Sequence, residues 1–468
     1  MSRREAWLSA LGVFAIAVIV RAIAASAIPF PRPEDTAYYV GVARNLVEGR
    51  GLVSDALWSY STPPLVFPRP AFEVWLPLPS ILAAIPMAIF GTGGDLAGAH
   101  RVAQISSVAI GALVPVLAWR LAADVAQERE MPIGRARSFA IGAGIASAVY
   151  LPLVLHSTLP DSTMPFAVLV LGGCVLIPRL LRDPRGARWS DPRLLGLGVL
   201  VGLAALTRNE AVWLALTWVV LVAVTRLPAN EPRRTKVRLI GVVAAVSLLV
   251  FAPWALRDWL VFGSPLPGQA VTNAFSVTGF DIFAWRDAPT LARYLALGPA
   301  RLLELRVDGL THNLVNVLLY LGPPVSVIGL LALPWQGRDR SLRPLLVVSI
   351  LTFLVTSLVF PVATTWGTFL HAAGPAHVLL VISALGALDA LIVAAGRWRG
   401  WTRPVAWLGP ALAVFASVVF TVVLLPSFGG GSVATEREYA ALKDRLAAAG
   451  EPLDGRTPVI HDFPIWLA

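Results

Sequence analysis

Two adjacent carboxylates, Glu34 and Asp35, follow the first long apolar segment of the chain. Ionisable groups at the edge of a membrane span are costly unless they are paired or hydrated, which makes them candidates for function. A carboxylate in such a place can accept the proton of a substrate hydroxyl as a general base. The alternative is that both acids cap the helix expected to begin near Thr36, since acidic side chains stabilise a helix N-terminus.

Three further groups are candidates to act with this acidic pair. The guanidinium of Arg69 suits phosphate oxygens and can stabilise a phosphate leaving group, or it can rest on anionic lipid at the membrane surface. Asp161 is either a site residue or the cap of the apolar segment that follows it. Arg208 falls in the turn of an apolar hairpin, where an ion pair with Glu210 is the purely structural alternative.

A metal ion is neither required nor excluded by these residues. His371 and His377 are six residues apart and do not share a helix face, so a metal site built on this pair is not expected. Asp35 and Asp161 together can hold Mg²⁺ or Mn²⁺. No other cofactor is indicated.

The composition indicates a membrane protein. The 468 residues have a mean hydropathy of +0.71, with 56% hydrophobic and only 14% charged residues, which excludes an ordinary soluble protein. The net charge is +10, but the arginines cluster in short links between apolar segments and do not form a contiguous basic face. A nucleic-acid partner is therefore not expected. The single cysteine, Cys174, excludes an intrachain disulfide and a cysteine-based metal cluster.

Apolar segments of about 20 residues predict membrane-spanning helices. The clear segments are 6–28, 100–120, 138–156, 162–181, 238–259, 313–335, 344–362, 374–395 and 404–426. Segment 72–91 is apolar but carries Glu73 and three prolines. Segment 194–226 is too long for one span and contains the polar turn 207–210.

The charges of the links decide how these two segments cross, since cytoplasmic loops of membrane proteins are rich in Arg and Lys. All basic links fall on one side only if segment 72–91 does not cross and segment 194–226 is a hairpin. The sequence therefore predicts an all-α polytopic membrane protein with eleven transmembrane helices in residues 1–426. Its N-terminus is expected in the cytoplasm and its C-terminus outside.

Two large loops are expected on the outer side, over residues 29–99 and 260–312. Helical or amphipathic elements are predicted to lie along the membrane at 36–48, at 72–91 and near 290–306. The tail 427–468 has a helical pattern over 435–448 and a strand-like segment that begins at Pro458. One helix and one strand cannot bury a core, so this tail is either part of a small domain cut short or a segment that docks on the outer face.

The motifs of the first half of the chain resemble those of the C-type glycosyltransferase superfamily, which includes protein O-mannosyltransferases and lipid A aminoarabinose transferases. The resembling segments are, in order, 33–39, 43–49, Arg69 with Pro70, Phe90 with Gly91, Arg101 with Val102, 159–161 and 206–208. Each motif is short, and the resemblance rests on their order and spacing. The second half of the chain has no motif that names a subfamily.

The resemblance implies a first outer loop that carries the catalytic acid, a polyprenyl-phosphate-linked sugar as donor, and transfer on the non-cytoplasmic face. It places the base in the acidic pair, Arg69 where a lysine contacts the donor phosphate, and Asp161 and Arg208 at further polar positions of the site. The family often has Asp before Glu, whereas Glu34 precedes Asp35 here, so both acids stay candidates for the base. The expected substrate-binding residues are Arg69, Asp161, Arg208, Arg101, Tyr38 and His371.

The main hypothesis is therefore an inverting membrane glycosyltransferase of the cell envelope. It would move a hexose or pentose from polyprenyl phosphate to a hydroxyl of an acceptor lipid, glycan or protein, with Asp35 or Glu34 as base and the phosphate leaving against Arg69 and Arg208. The alternative is a lipid or sugar-lipid transporter, which would use the same charges for alternating access. Acids concentrated at one membrane edge, beside long amphipathic loops, favour the enzyme.

Overall fold

A computed structural model describes residues 3–57, 65–183, 189–227, 232–267, 272–283, 287–401, 405–451 and 464–466. The α-helices are α1 (Arg3–Ser26), α2 (Glu34–Val47), α3 (Leu78–Phe90), α4 (Leu96–Gly111), α5 (Leu113–Glu128), α6 (Ile133–Val149), α7 (Leu151–His156), α8 (Thr163–Arg182), α9 (Pro192–Ala205), α10 (Ala211–Val224), α11 (Pro232–Phe262), α12 (Leu291–Leu295), α13 (Gly298–Thr311), α14 (Val325–Gln336), α15 (Arg343–Leu358), α16 (Thr368–Ala372), α17 (Gly374–Trp398) and α18 (Leu408–Ala448). Short 3-10 helices lie at Thr272–Phe275, Gly279–Phe283, Ala363–Trp366 and Pro464–Trp466, and a π-helix at His312–Leu319. Two short strands, β1 (Val53–Ser54) and β2 (Arg69–Pro70), pair antiparallel with Val53 opposite Pro70.

The predicted all-α polytopic class is confirmed. Among the described residues, six helical stretches are long and apolar enough to cross a membrane: α1, the 96–128 stretch of α4 and α5, α8, α11, α17 and α18. Shorter apolar helices are α3, α9, α10, α14 and α15. Each predicted span coincides with one helical element or with two consecutive ones. The number of eleven crossings stays a prediction.

The elements predicted outside the spans are also helical. Segment 36–48 forms α2, and the amphipathic piece near 290–306 forms α12 and α13. The hairpin predicted over 194–226 is present as α9 and α10. Within 72–91, α3 has 13 residues and is about 20 Å long, shorter than a single span needs.

Two predicted spans are interrupted by proline. Segment 138–156 divides into α6 and α7 at Tyr150, whose backbone is extended, because Pro152 lacks an N–H donor and cannot continue a helix from the preceding turn. Segment 313–335 divides between the π-helix and α14 at Gly322, Pro323 and Pro324. By contrast, α18 continues through the three glycines 429–431 into the tail. The strand-like segment predicted from Pro458 lies outside the described residues.

Arginine-rich links meet at one end of the helix bundle. The ion pairs that join them are Arg129–Asp339, Arg135–Asp389, Arg137–Glu5 and Arg179–Asp124. Arg179 lies in the last turn of α8, which has 20 residues and begins directly after Asp161 and Ser162. Twenty helical residues extend about 30 Å. Asp161 therefore lies about a membrane thickness away from the arginine-rich end.

Candidate active site

Asp35 lies in the first turn of α2, and its two carboxylate oxygens have different partners. Its Oδ1 accepts a hydrogen bond from the backbone N–H of Thr36 at 2.9 Å. Its Oδ2 lies 3.2 Å from Nε2 of His371. One oxygen therefore accepts a backbone N–H of the first turn, as the capping interpretation predicts, and the other faces an imidazole.

Asp161, just before α8, has the same arrangement, with one oxygen on a backbone N–H and the other directed toward His371. Its Oδ1 accepts the backbone N–H of Thr163 at 2.7 Å, as the capping interpretation requires. Its Oδ2 has no hydrogen-bond partner among the described residues and lies 3.9 Å from Nδ1 of His371. The side chain is fully buried. A buried carboxylate oxygen without a partner is costly, which points to a bound group as its missing partner.

His371, in α16, lies between the two acids. The Thr163 hydroxyl is 2.9 Å from Nδ1, and if it donates there the Nε2–H faces Asp35. Burial, with the Arg208 cation adding to it, lowers the pKa of His371 to about 3, so the ring is neutral at physiological pH. Gly367 precedes α16 with φ of 113°, and a Cβ there would lie 3.2 Å from the His371 ring. A glycine is therefore needed for this loop to approach the ring.

His156 completes the group and was not among the predicted site residues. Its ring centroid lies 6.2 Å from that of His371, and its buried Nδ1 has no hydrogen-bond partner in the described part of the chain. One ligand atom each of His156, Asp161 and His371 lie within 4.8 Å of one another. The sequence signal that could have identified His156 was its position as an isolated imidazole in an apolar stretch, five residues before Asp161.

Arg208 contributes the cation of the group. It forms a two-point ion pair with Glu210, at 2.8 and 3.1 Å, and its Nη1 donates to the Ser162 hydroxyl at 2.9 Å. Burial alone would lower the pKa of Arg208, but Glu210 outweighs it and raises this pKa, so the guanidinium stays charged. The predicted ion pair is therefore present, and the Ser162 contact brings the cation to the start of α8. We call Asp35, His156, Asp161, Arg208, Glu210 and His371 the acidic cluster.

The neighbouring tyrosines of α2 face different surroundings. Tyr39 lies one turn after Asp35 and faces the charges of Arg208, Asp35 and Asp161 in the acidic cluster. Tyr38, the predicted site residue, accepts the backbone N–H of Phe72 at 2.7 Å, and its ring centroid is 4.3 Å from that of Trp75. Tyr38 therefore holds the first loop against α2, whereas Tyr39 borders the acidic cluster.

Two other predicted site residues pair with acids outside the acidic cluster. Arg69 pairs with Glu73 at 2.6 Å and lies 5.9 Å from the ring centroid of Phe262. Arg101 is exposed and lies 3.7 Å from Glu436 of α18. Glu34 is half-buried; burial raises its pKa, and the adjacent Asp35 charge adds to the shift.

The acidic cluster carries more negative than positive charge when its acids are ionised, with three carboxylates around one guanidinium. Burial raises the pKa of Asp161 to about 8, and the charge of Asp35 adds to the shift. Burial also raises the pKa of Asp35, while the Arg208 cation opposes this. A cation entering the cluster would favour the ionised form of both acids.

Buried polar residues hold the link that carries Asp161. Arg21 of α1 is fully buried; its Nε donates to the Ser157 hydroxyl at 2.9 Å and its Nη1 donates to the carbonyl of Ala148 at 3.0 Å. Ala148 and Ser157 lie at the C-terminal ends of α6 and α7, where helix dipoles stabilise a cation. Arg21 therefore fixes the place where both short helices end.

Solved structures with a similar fold are membrane glycosyltransferases. One is the oligosaccharyltransferase AglB from Archaeoglobus fulgidus in complex with an inhibitory peptide and a dolichol-phosphate, with a TM-score of 0.56 and 14% identity over 92% of this chain. Another is ArnT from Cupriavidus metallidurans bound to undecaprenyl phosphate, with a TM-score of 0.53 and 16% identity over 98% of this chain.

The present chain spans 56% of the AglB chain and 84% of the ArnT chain. No protein-family model and no curated protein sequence matches it. Both structural neighbours are members of the C-type glycosyltransferase superfamily, so the predicted resemblance is confirmed for the fold. At these identities the likeness concerns the fold alone.

The Arg208–Glu210 pair gives a test of the cluster that does not depend on activity. Arg208→Met leaves Glu210 buried without its cation, so we expect a loss of about 3 kcal/mol in the free energy of unfolding. Adding Glu210→Leu removes the unpaired charge and should restore more than half of that loss. Denaturation of the purified variants in detergent measures both changes. A double variant as unstable as the single one would contradict the pairing.

Proposed function

We propose that this chain is an inverting membrane glycosyltransferase that moves a sugar from a polyprenyl-phosphate donor to an acceptor hydroxyl, with Asp35 as the general base. The observation that carries the proposal is the shared orientation of Asp35 and Asp161. Each acid is fixed by a helix N-terminus through one oxygen and directs the other toward His371. The fold common to AglB and ArnT supports the general class of reaction.

Asp35 suits the role of base better than Glu34. The Asp35 side chain is 16% exposed, so a substrate hydroxyl can reach it, whereas Asp161 is sealed. Its burial raises its proton affinity above that of an ordinary aspartate, which strengthens it as a base. Among the described residues, no hydrogen bond or ion pair joins the Glu34 carboxylate to the acidic cluster.

The transfer step follows from this arrangement. The acceptor hydroxyl gives its proton to the Asp35 carboxylate as its oxygen forms a bond to the anomeric carbon. The bond from that carbon to the phosphate oxygen breaks, and polyprenyl phosphate leaves with the electron pair. Attack opposite the leaving group inverts the anomeric configuration. The protein's contribution is to hold both substrates in register, which supplies much of the rate.

The donor phosphate is proposed to lie on the other side of α2, at Arg69. Arg257 lies 5.1 Å from the ring centroid of Phe262, the same ring that Arg69 approaches. Both guanidiniums are paired with an acid, Glu73 and Asp258, so a phosphate binding there would compete with these carboxylates. The undecaprenyl phosphate bound to ArnT and the dolichol-phosphate bound to AglB support a donor of this class.

The acidic cluster is proposed to face the outside of the cell. It lies at the end of the bundle opposite the arginine-rich links, which the positive-inside rule assigns to the cytoplasm. Acceptors are accordingly lipids, glycans or proteins of the cell envelope. The acidic cluster lies at one end of the bundle, whereas a transporter would need charges along its whole path, which favours the enzyme.

We also propose that the acidic cluster binds one divalent cation through His156, Asp161 and His371. The buried Asp161 Oδ2 and His156 Nδ1 have no hydrogen-bond partner among the described residues, and His371 would bind the ion through Nδ1 in place of the Thr163 hydroxyl. Two imidazoles with a carboxylate suit Zn²⁺ or Mn²⁺ better than Mg²⁺, which prefers oxygen ligands. When bound, such an ion would favour the ionised form of Asp35 and Asp161.

The base assignment is tested with Asp35→Asn and Glu34→Gln in proteoliposomes. The chain is supplied with radiolabelled polyprenyl-phosphate hexoses and pentoses and a cell-envelope extract as acceptor. Removing a general base lowers the rate by roughly 10²- to 10⁴-fold, so Asp35→Asn should lose label transfer to that extent. Glu34→Gln should stay within about threefold of the wild type. Full activity of Asp35→Asn, or movement of labelled lipid across the membrane without covalent transfer, would contradict the proposal.

The cation is tested by Mn²⁺ binding to the purified, EDTA-treated chain, followed by electron paramagnetic resonance. We expect one site, with affinity at least about tenfold weaker in Asp161→Asn and His156→Gln, since even an outer partner of a metal ligand is worth that much. His377→Gln is the matched control: His377 is also buried, but its described contact is with Tyr150. Absence of binding, or equal weakening by the control, would refute the site.

A further inference from the structure

One face of α4 carries a stripe of small and polar residues inside an apolar helix. The stripe consists of His100, Gln104, Ser107 and Gly111, spaced by four, three and four residues, so all four lie on one side of the helix. All four are buried. Buried polar side chains are costly unless they are hydrogen-bonded, and the three polar members all contact backbone carbonyls.

These carbonyls belong to the two links that lead to the acids. Nε2 of Gln104 lies 3.0 Å from the carbonyl oxygen of Ile28, in the link between α1 and α2, and 2.9 Å from that of Thr158, in the link between α7 and α8. An amide nitrogen has two hydrogens. One side chain therefore satisfies one carbonyl in each link. The carbonyl of Ala25, at 3.4 Å, is a weaker third acceptor.

The other members of the stripe, His100, Ser107 and Gly111, each contact a single link. Nε2 of His100 lies 3.3 Å from the carbonyl of Ile28. The Ser107 hydroxyl lies 2.9 Å from the carbonyl of Ser157 and 2.8 Å from that of Leu159. A Cβ at Gly111 would lie 2.3 Å from the Ser157 hydroxyl, so glycine permits the second link to approach α4.

We infer that Gln104 is a positioning residue that sets the separation of Asp35 and Asp161. Ile28 precedes Asp35 by seven residues, and Thr158 precedes Asp161 by three. A single amide that joins both backbones fixes the distance between the two chain segments before α2 and α8 begin. The expected effect on catalysis rests on the proposed function. The hydrogen-bonded connection that Gln104 makes between the two links, which we call the tie, does not.

Hydrogen–deuterium exchange of the full-length chain in detergent tests the tie directly. Gln104→Met keeps the size of the side chain and removes both donated hydrogens, so exchange should rise in peptides covering 25–40 and 150–162. Ser107→Ala should raise exchange in 150–162 alone. The control is Ser106→Ala, whose hydroxyl bonds only within α4, to the carbonyl of Ala103, and which should change neither peptide.

Kinetics of the same variants test the effect on the site. We expect Gln104→Met to lower kcat by about tenfold with KM unchanged, since small displacements of reacting groups are costly. A rise in only one peptide, in neither, or equally in a peptide from α17 would overturn the inference. If the wild-type chain transfers no sugar but both peptides respond to Gln104→Met, the proposed function fails while the tie stands.

Discussion

Two carboxylates, the fully buried Asp161 and the partly buried Asp35, determine the arrangement of this end of the molecule, each with one oxygen on a helix N–H and the other directed toward His371. A carboxylate removed from water needs hydrogen-bond donors, and a helix N-terminus offers free N–H groups. Asp35 and Asp161 each use one such group, from Thr36 and Thr163, which fixes the direction of the remaining oxygen. Because α2 and α8 are rigid elements, the second oxygens of both acids are held toward His371 more firmly than flexible loops would hold them.

The surrounding helices, rather than water, must provide hydrogen-bond partners for the irregular backbone between them. The link that carries Asp161 is buried at Ser157 and Thr158, and irregular backbone is tolerated at such depth only where protein groups pair with it. Gln104 and Ser107 of α4 supply those partners, and Arg21 of α1 donates to the Ser157 hydroxyl. Polar residues inside apolar helices therefore hold in place the segments that carry Asp35 and Asp161.

The sequence predicted the helices and part of the acidic cluster because both depend on local signals. Apolar length and the charge of the links located the helical segments, and ionisable residues between spans pointed to Asp35, Asp161, Arg208 and His371. Neither signal can tell which of two adjacent tyrosines faces the cluster, or that His156 lies beside His371, since both depend on how distant helices pack. The predicted span ended at residue 426, whereas α18 continues through the glycines 429–431. A Cβ at Gly429 would lie 2.6 Å from the carbonyl of Ala27, so this glycine permits close packing of α18 against the end of α1.

A structure of this chain determined by electron cryomicroscopy with a bound polyprenyl-phosphate sugar would show whether Asp35 and Asp161 face one bound group. We expect Asp35 Oδ1 and Asp161 Oδ1 to stay on the N–H groups of Thr36 and Thr163, and both Oδ2 atoms to face that group, with the sugar next to Asp35. Acids that open into separate spaces, or an Asp161 Oδ2 engaged by a donor of the protein itself, would refute this arrangement.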